Sequence, residues 1–322
     1  MTKILTITSG KGGVGKTNIS LNLALALAAL GKRVCLFDAD LGLANVNILT
    51  GIQPEYTLAS VMAGEKSLDG ILLKDFYGVD IIPGSSGVEK MEDLSRAQTR
   101  ELVTAFLALD DYDYMIFDTS AGVSPQVLAF CRACHEVLLV ITPEPTSLTD
   151  AYSLLKILGQ KGKLPPIKVI INRVNSVDGA KTAYGKLRTT VAKFLPISIG
   201  AMGIVAQDAK IPRAVASQTP FLLKFPDGLA SHSIWAIARK LIKETVDKGD
   251  SSGFWEQCLG EIRSQVPRSS PPLGMEERLL ALEDKVDRLL NELVQIRSLL
   301  SESTSPAPVD MGEWVKRHRR PS

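Results

Sequence analysis

Short apolar runs alternate with stretches of helical periodicity from the N-terminus to about residue 248. This alternation is typical of βαβ units that build a parallel sheet. Several runs are apolar nearly throughout, as expected for strands that helices cover on both faces. The predicted strands cover residues 3–8, 33–38, 79–84, 114–119, 136–142, 167–173 and 197–202. We therefore predict an α/β fold with a doubly wound, mostly parallel sheet in a domain of residues 1–248.

Beyond residue 248 the pattern breaks into shorter segments, which we interpret as a tethered tail. Residues 253–266 place apolar side chains at helical spacing on one face, and a Pro/Ser-rich linker follows at 267–274. Residues 275–300 carry heptads, and residues 301–322 are expected to be a disordered tail that ends in a basic cluster. The amphipathic segment either contacts a membrane surface or packs on the domain, and the sequence leaves both alternatives open.

The heptad segment has apolar residues at an unbroken alternation of three and four positions. They are Leu279, Leu282, Val286, Leu289, Leu293, Ile296 and Leu300. In this register Arg278 faces Glu283 of the other helix in a parallel pair. Glu292 faces Arg297 in the same way, and both contacts are attractive. We therefore predict a parallel coiled coil or pairing with a partner helix, and two further leucines at e and g positions leave a higher order open.

The composition indicates a globular protein and gives no reason to expect a nucleic-acid partner. Hydrophobic residues make up 45% of the chain and charged residues 22%, which allows a full core. The net charge of +2 provides no global attraction to nucleic acid. The chain starts directly with a strand-like run, and the apolar run at 21–30 is too short to span a bilayer. Four cysteines in 322 residues do not suggest a disulfide framework, so we expect a reducing cytoplasm.

The sequence CRACH at residues 131–135 matches the attachment pattern of c-type haem. We reject haem attachment, because it requires export and no secretion signal is expected. Residues at this spacing on a helix can simply be small packed side chains. Metal binding by Cys131, Cys134 and His135 remains the open alternative.

A glycine-rich motif, GKGGVGKT, lies at residues 10–17 between a predicted strand and a predicted helix. It fits the loops that bind nucleotide phosphates through inward-facing backbone N–H groups and a helix N-terminus. In this pattern Lys16 reaches the β- and γ-phosphates, and the Thr17 hydroxyl coordinates Mg²⁺. The residues predicted to contact the nucleotide here are Gly10, Lys11, Gly12, Gly13, Val14, Gly15, Lys16, Thr17 and Asn18.

The motif contains an additional lysine, Lys11, which could be merely solvated. A lysine this early in the loop need not point at its own nucleotide. We interpret it as reaching the nucleotide of a neighbouring copy, where its charge would stabilise the transition state as an arginine finger does. This interpretation makes Lys11 and Lys16 candidate catalytic residues and predicts a homodimer with nucleotide at the interface.

The stretch KGGVGKT resembles the deviant phosphate loop of the MinD/ParA family of P-loop ATPases. The sequence DADLGLANVNILTG (38–51) resembles the switch I region of that family, and YMIFDTSAGVS (114–124) resembles its Walker B and switch II regions. The stretches ITPEPTSLTDAYSLLK (141–156) and INRV (171–174) follow in the family's order. The resemblance covers residues 1–246, and LGLAN and TPEPTSLTDAY are most similar to the flagellar FlhG/FleN branch.

The resemblance implies roles for polar residues at the ends of predicted strands, where open α/β sheets bind ligands. Asp40 matches the aspartate that orients the attacking water, and Asp38 would assist through Mg²⁺-bound water. Asp118 would hold Mg²⁺ together with the threonine of the loop. Gly122 would donate its backbone N–H to the γ-phosphate, and Asn172 would read the adenine.

The family resemblance implies a switch that dimerises around ATP and Mg²⁺ and releases its partners on hydrolysis. It further implies control of flagellar number or placement by a cytoplasmic protein that associates reversibly with the membrane. The expected partner is a flagellar GTPase, a C-ring protein or a regulator protein. Two alternatives stay open: a ParA-like DNA-partition or other cargo-positioning ATPase, and a scaffold that binds ATP with little turnover. The near-neutral charge argues against the DNA-binding alternative.

Overall fold

The computed structural model describes residues 2–40, 45–84, 111–160 and 164–244, together with residues 102, 104–106, 108, 109, 162, 254, 257 and 258. The strands are β1 (Lys3–Thr8), β2 (Val34–Ala39), β3 (Leu73–Phe76), β4 (Val79–Ile82), β5 (Tyr114–Thr119), β6 (Glu136–Ile141), β7 (Ile167–Val174) and β8 (Ile199–Ala206). The helices are α1 (Lys16–Ala29), α2 (Asn45–Thr50), α3 (Leu58–Met62), α4 (Leu68–Ile71), α5 (Pro125–Ala133), α6 (Pro145–Leu158), α7 (Val177–Phe194), α8 (Lys210–Ala216), α9 (Phe221–Lys224) and α10 (Leu229–Lys243).

The described strands form one sheet in the order β3-β4-β2-β5-β1-β6-β7-β8. All neighbouring strands pair in parallel except β3, which runs antiparallel to β4. The central strand β1 lies between β5 and β6, and all its residues are buried. Since helices cover both faces, the strands β1, β2, β5 and β6 are buried along their whole length. The predicted fold class is confirmed.

The buried side chains separate into two clusters, one on each face of the sheet. On one face Phe37, Phe117 and Phe130 pack with residues of α3 to α7. On the other face Leu5 and Ile7 pack with residues of α1, α2 and α8 to α10. This two-faced core fixes the carboxyl ends of the parallel strands at one edge, where the loops that carry the candidate site begin.

The edge strand β3 was not predicted from the sequence. Its four residues, LKDF, are half-buried at the ends and exposed in the middle, so they carry no clear apolar run. At the other edge, β8 continues to Ala206 instead of ending at residue 202. Both differences lie at the edges of the sheet, where one side of a strand has no neighbouring strand and burial no longer sets the pattern.

The described part of segment 253–266 is packed on the domain. Phe254 is 2% exposed and Cys258 is fully buried, and both belong to the core cluster of α3 to α7. The Phe254 ring lies 5.0 Å from that of Phe117, centroid to centroid. Gln257 donates from Nε2 to the Arg132 carbonyl over 3.1 Å. Backbone contacts likewise place Met1–Val266 in one compact unit.

The linker at 267–274, the heptads at 275–300 and the tail at 301–322 lie outside the described residues. Within the described ranges, every helix is too short or too polar to cross a membrane.

Candidate functional site

The loop between β1 and α1 has the shape of a phosphate cradle. Gly13 and Gly15 have φ values of +73° and +94°, in the left-handed region where a side chain is strained. A Cβ on Gly15 would also lie 2.5 Å from Nδ2 of Asn172. Helix α1 begins at Lys16, and the N–H groups of its first turn have no partner within the helix. These N–H groups and the helix dipole favour an anion at the loop.

Two buried carboxylates lie side by side at the carboxyl ends of β2 and β5. Asp38 and Asp118 are register partners on these strands, and both are 0% exposed. Oδ1 of Asp118 accepts a hydrogen bond from the Ser20 hydroxyl over 2.8 Å, whereas its Oδ2 has no partner among the described residues. Asp38 accepts hydrogen bonds from the backbone N–H groups of Val46 at 3.1 Å and Asp40 at 3.3 Å.

Burial and nearby like charges raise the pKa values of both carboxylates. Burial and the charge of Asp118 raise the pKa of Asp38 to about 8. Burial also raises the pKa of Asp118 to about 6, although the charge of Lys16 opposes part of this increase. A divalent cation would relieve both effects, and carboxylate oxygens are ligands that Mg²⁺ prefers. Thr17 lies three residues before Ser20 on the same side of α1, so the residues present here fit a Mg²⁺ site.

The two lysines of the loop have different surroundings. Lys16 is 8% exposed, beside Asp118. Lys11 lies nearer the surface and donates from Nζ to Oε2 of Glu144 over 2.6 Å and to the Thr146 hydroxyl over 2.9 Å. The hydrogen bond and charge of Lys11 lower the pKa of Glu144. The residues at the start of α6 therefore hold the Lys11 side chain near the surface, whereas the Lys16 side chain lies in the interior.

The end of β7 supports the loop from outside. Asn172 is buried, and its Nδ2 donates to the Val14 carbonyl over 2.7 Å. Its Oδ1 accepts a hydrogen bond from the N–H of Arg173 over 2.8 Å. The guanidinium of Arg173 donates to the Gly13 carbonyl over 2.7 Å. The Asn172 amide thus already contacts the loop, and its predicted contact with adenine stays a prediction.

The switch II residue Gly122 has φ +96° and donates its N–H to the Ser9 carbonyl over 2.9 Å. For this N–H to donate to a γ-phosphate, as predicted, its hydrogen bond to the Ser9 carbonyl would have to break. Asp40 lies half-buried directly after β2, and the switch I residues 41–44 that follow it are outside the described residues. Gln126 of α5 donates from Nε2 to the Ala39 carbonyl over 3.5 Å, so the helix that follows residues 114–124 contacts the end of β2.

Sequence reasoning missed Ser20, Glu144 and Arg173. Ser20 lies one turn after Lys16 on α1, where its spacing points it at the same carboxylate. Glu144 and Arg173 lie at the carboxyl ends of β6 and β7, the edge where ligands bind in such sheets. Their positions were visible in the sequence, but the atoms they contact lie more than a hundred residues away along the chain.

The CRACH residues belong to the core. Cys131 and Cys134 are buried, and Nδ1 of His135 accepts a hydrogen bond from the N–H of Ile4 over 2.8 Å. In the part of the chain that the structure describes, no group of three or more His, Cys, Asp or Glu side chains is arranged to hold a metal ion. These observations favour packed residues over the metal alternative.

Comparisons with known proteins agree with this geometry. Residues 5–221 match the family described as the CobQ/CobB/MinD/ParA nucleotide binding domain. The antiactivator FleN of Pseudomonas aeruginosa is 42% identical over 240 residues, which cover 74% of this chain and 86% of that protein. The flagellum site-determining protein YlxH of Helicobacter pylori is 34% identical over 245 residues, covering 76% of this chain and 83% of that protein.

The fold comparison leads to the same group. The solved structure of the septum site-determining protein MinD from Pyrococcus horikoshii, complexed with Mg-ADP, matches with a TM-score of 0.61 and 27% identity. The match covers 76% of this chain and 97% of that one. With its phosphate loop, its paired carboxylates and these relatives, this chain belongs to the MinD/ParA family of nucleotide-binding proteins and is similar to the antiactivator FleN and the flagellum site-determining protein YlxH.

Proposed function

We propose that this chain is a Mg²⁺-dependent ATPase switch that dimerises around ATP and regulates flagellar number or placement. The observation that carries this proposal is the buried pair Asp38 and Asp118 beside Lys16, at the mouth of the glycine-rich loop. Two acids with raised pKa values next to a buried lysine are expected where a metal and a phosphate chain bind. The flagellar part is supported by the name of the relative YlxH, a flagellum site-determining protein, and by the resemblance of the sequence to the flagellar branch of the family.

Each part of the site has a role in the proposed reaction. Lys16 and the N–H groups of the loop bind the phosphates, while Asp118 and Thr17 hold the metal. Mg²⁺ held by these residues would supply positive charge to the phosphate oxygens. Asp40, directly after β2, orients the attacking water, and burial of the site strengthens each of these charge interactions.

Lys11 links hydrolysis to a second copy of the chain. Its contacts with Glu144 and Thr146 lie at the surface, where an ion pair contributes little to stability. Exchanging these contacts for the phosphates of a neighbouring copy therefore costs little. We propose that Lys11 makes this exchange on dimerisation and supplies positive charge during phosphoryl transfer.

The tail segments complete the proposal. A membrane role of residues 253–266 would require Phe254 and Cys258 to leave the core, so the described state is a docked one. We propose that residues 275–300 pair in a parallel coiled coil that supports the dimer. A flagellar GTPase, a C-ring protein or a regulator protein is the proposed partner, with the protein cytoplasmic and reversibly attached to the membrane.

The test is ATP turnover by the full chain with Mg²⁺. The wild type should hydrolyse ATP, Lys16→Ala should lose nucleotide binding, and Asp40→Ala should bind ATP but lose turnover about a hundredfold or more. Lys193→Ala, which changes an exposed lysine at the end of α7, serves as the control and should behave as wild type. A wild-type chain that binds neither ATP nor ADP would contradict the proposal.

A further inference from the structure

The end of β7 holds two successive carbonyl groups of the phosphate loop. Nη2 of Arg173 donates to the Gly13 carbonyl over 2.7 Å, and Nδ2 of Asn172 donates to the Val14 carbonyl over 2.7 Å. Asn172 corresponds to a residue that the resemblance assigns to the adenine. Arg173 has no role in that assignment, although it contacts the loop just as closely.

These bonds determine where the loop's N–H groups point. All peptide bonds described are trans, so each N–H points opposite to the carbonyl of the same peptide group. Anchoring the Gly13 carbonyl on Arg173 therefore turns the N–H of Val14 away from β7. In the same way, anchoring the Val14 carbonyl on Asn172 turns the N–H of Gly15 away. N–H groups that turn inward together are what a phosphate cradle requires.

The backbone of Arg173 is strained in a way that serves this contact. Its φ is +56°, in the left-handed region that side chains other than glycine rarely adopt. The bond from its N–H to Oδ1 of Asn172, over 2.8 Å, holds this conformation. Strain of this kind persists where the surroundings fix it, and it concentrates at functional sites.

We propose that Arg173 is a positioning residue that orients the phosphate loop through the Gly13 carbonyl, without touching the nucleotide itself. Its guanidinium suits this task because its hydrogen bond to the carbonyl is charge-assisted, and such bonds are stronger than neutral ones. The inference rests on the proposed function, since an oriented cradle has an effect only if phosphates bind there.

The test measures dissociation constants of ATP and ADP, with Mg²⁺, for the full-length chain. Arg173→Ala should weaken the binding of ATP and of ADP by a similar factor of about ten, because the loop contacts phosphates that both nucleotides share. Turnover at saturating ATP should change by less than about threefold. Arg173→Lys and Arg173→Gln, which retain a donor, should recover part of the affinity. Arg188→Ala, at an exposed arginine of α7, is the control and should bind as wild type.

A glycine variant separates positioning from general stability. Arg173→Gly relieves the strained φ but removes the guanidinium, so affinity should fall as in Arg173→Ala while the unfolding temperature of the nucleotide-free protein does not fall. Wild-type affinity in Arg173→Ala, or a parallel loss of stability and affinity in Arg173→Gly, would overturn the inference alone. A wild type that binds no nucleotide would overturn the proposed function and this inference with it.

Discussion

At the scale of single residues, Asp38 and Asp118 set the electrostatics of the site. Both pKa values, about 8 and about 6, lie above the ordinary value of 3.8. Between about pH 4 and pH 8 the two carboxyl groups hold more protons in the folded chain than in the unfolded chain, so the stability of the fold falls as the pH rises. The stability that these two groups contribute is fully present below about pH 4 and is lost as the pH rises through their pKa values in the folded chain. A bound cation would compensate this loss.

Replacing Asp118 by Asn should therefore stabilise the chain at alkaline pH when nucleotide and metal are absent. The change removes one buried charge and the repulsion that raises the pKa of Asp38. We expect a gain of about 1–3 kcal/mol near pH 8 that shrinks towards pH 4, measured by urea unfolding with a chelator present. Asp178→Asn, at an exposed acid of α7, is the matched control for the loss of one carboxylate. Identical pH profiles for wild type and Asp118→Asn would contradict this account.

Two glycines of the loop allow a matched test of how closely the loop packs on α6. A Cβ on Gly10 would lie 2.2 Å from the carbonyl oxygen of Asp150 and 2.5 Å from the N atom of Ala151, and these backbone atoms of α6 cannot move aside. A Cβ on Gly12 would meet nothing within 4 Å. Gly10→Ala should therefore destabilise the chain by about 1–3 kcal/mol, whereas Gly12→Ala should change the unfolding free energy by less than about 0.5 kcal/mol. Equal effects would show that α6 does not pack on the loop as described.

The sequence predicted those site residues whose roles follow from position on their own strand or loop. Lys16, Asp38 and Asp118 end up together because parallel strands share one carboxyl edge. The partners of Lys11 and Gly13 could not be predicted, because Glu144 and Arg173 reach them across the sheet. Contacts of this kind depend on strand order, which local periodicity does not determine.

At the scale of elements, the described residues of segment 253–266 pack on the domain. The sequence left membrane contact and packing open, because an amphipathic face serves either purpose equally well. Burial of Phe254 and Cys258 against Phe117 and α5 favours packing for the described residues. The strands were predictable to within a few residues, since central strands are apolar on both faces. Edge strand β3 was not, because its short pattern is mixed.

Truncating the Phe254 side chain tests whether this segment belongs to the core. Phe254→Ala should lower the unfolding free energy by about 3 kcal/mol or more, because it leaves a cavity between the rings of Phe117 and Phe130. Phe194→Ala removes the same atoms from a residue that is 61% exposed, and should cost less than about 0.5 kcal/mol. If both variants unfold alike in urea, the segment is not part of the folded domain in solution.

At the scale of the whole molecule, the proposed switch requires two copies of the chain that meet at their bound nucleotides. Lys16 is buried beside carboxylates of the same chain, whereas Lys11 lies at the surface, where other groups could replace its contact with Glu144. A second copy would give Lys11 a phosphate partner and would exclude water from the site, strengthening its charge interactions. In the proposed function, dimerisation would therefore be the step that turns a nucleotide-binding domain into a switch.

The most direct test is the mass of the compact unit, residues 1–266, carrying Asp40→Ala to prevent turnover. Removing the heptads ensures that any dimer arises from the domain itself. Sedimentation with ATP and Mg²⁺ should give a dimer, and sedimentation with ADP or with the further change Lys11→Ala should give mainly monomer. A unit that binds ATP yet remains monomeric at high protein concentration would contradict the central claim.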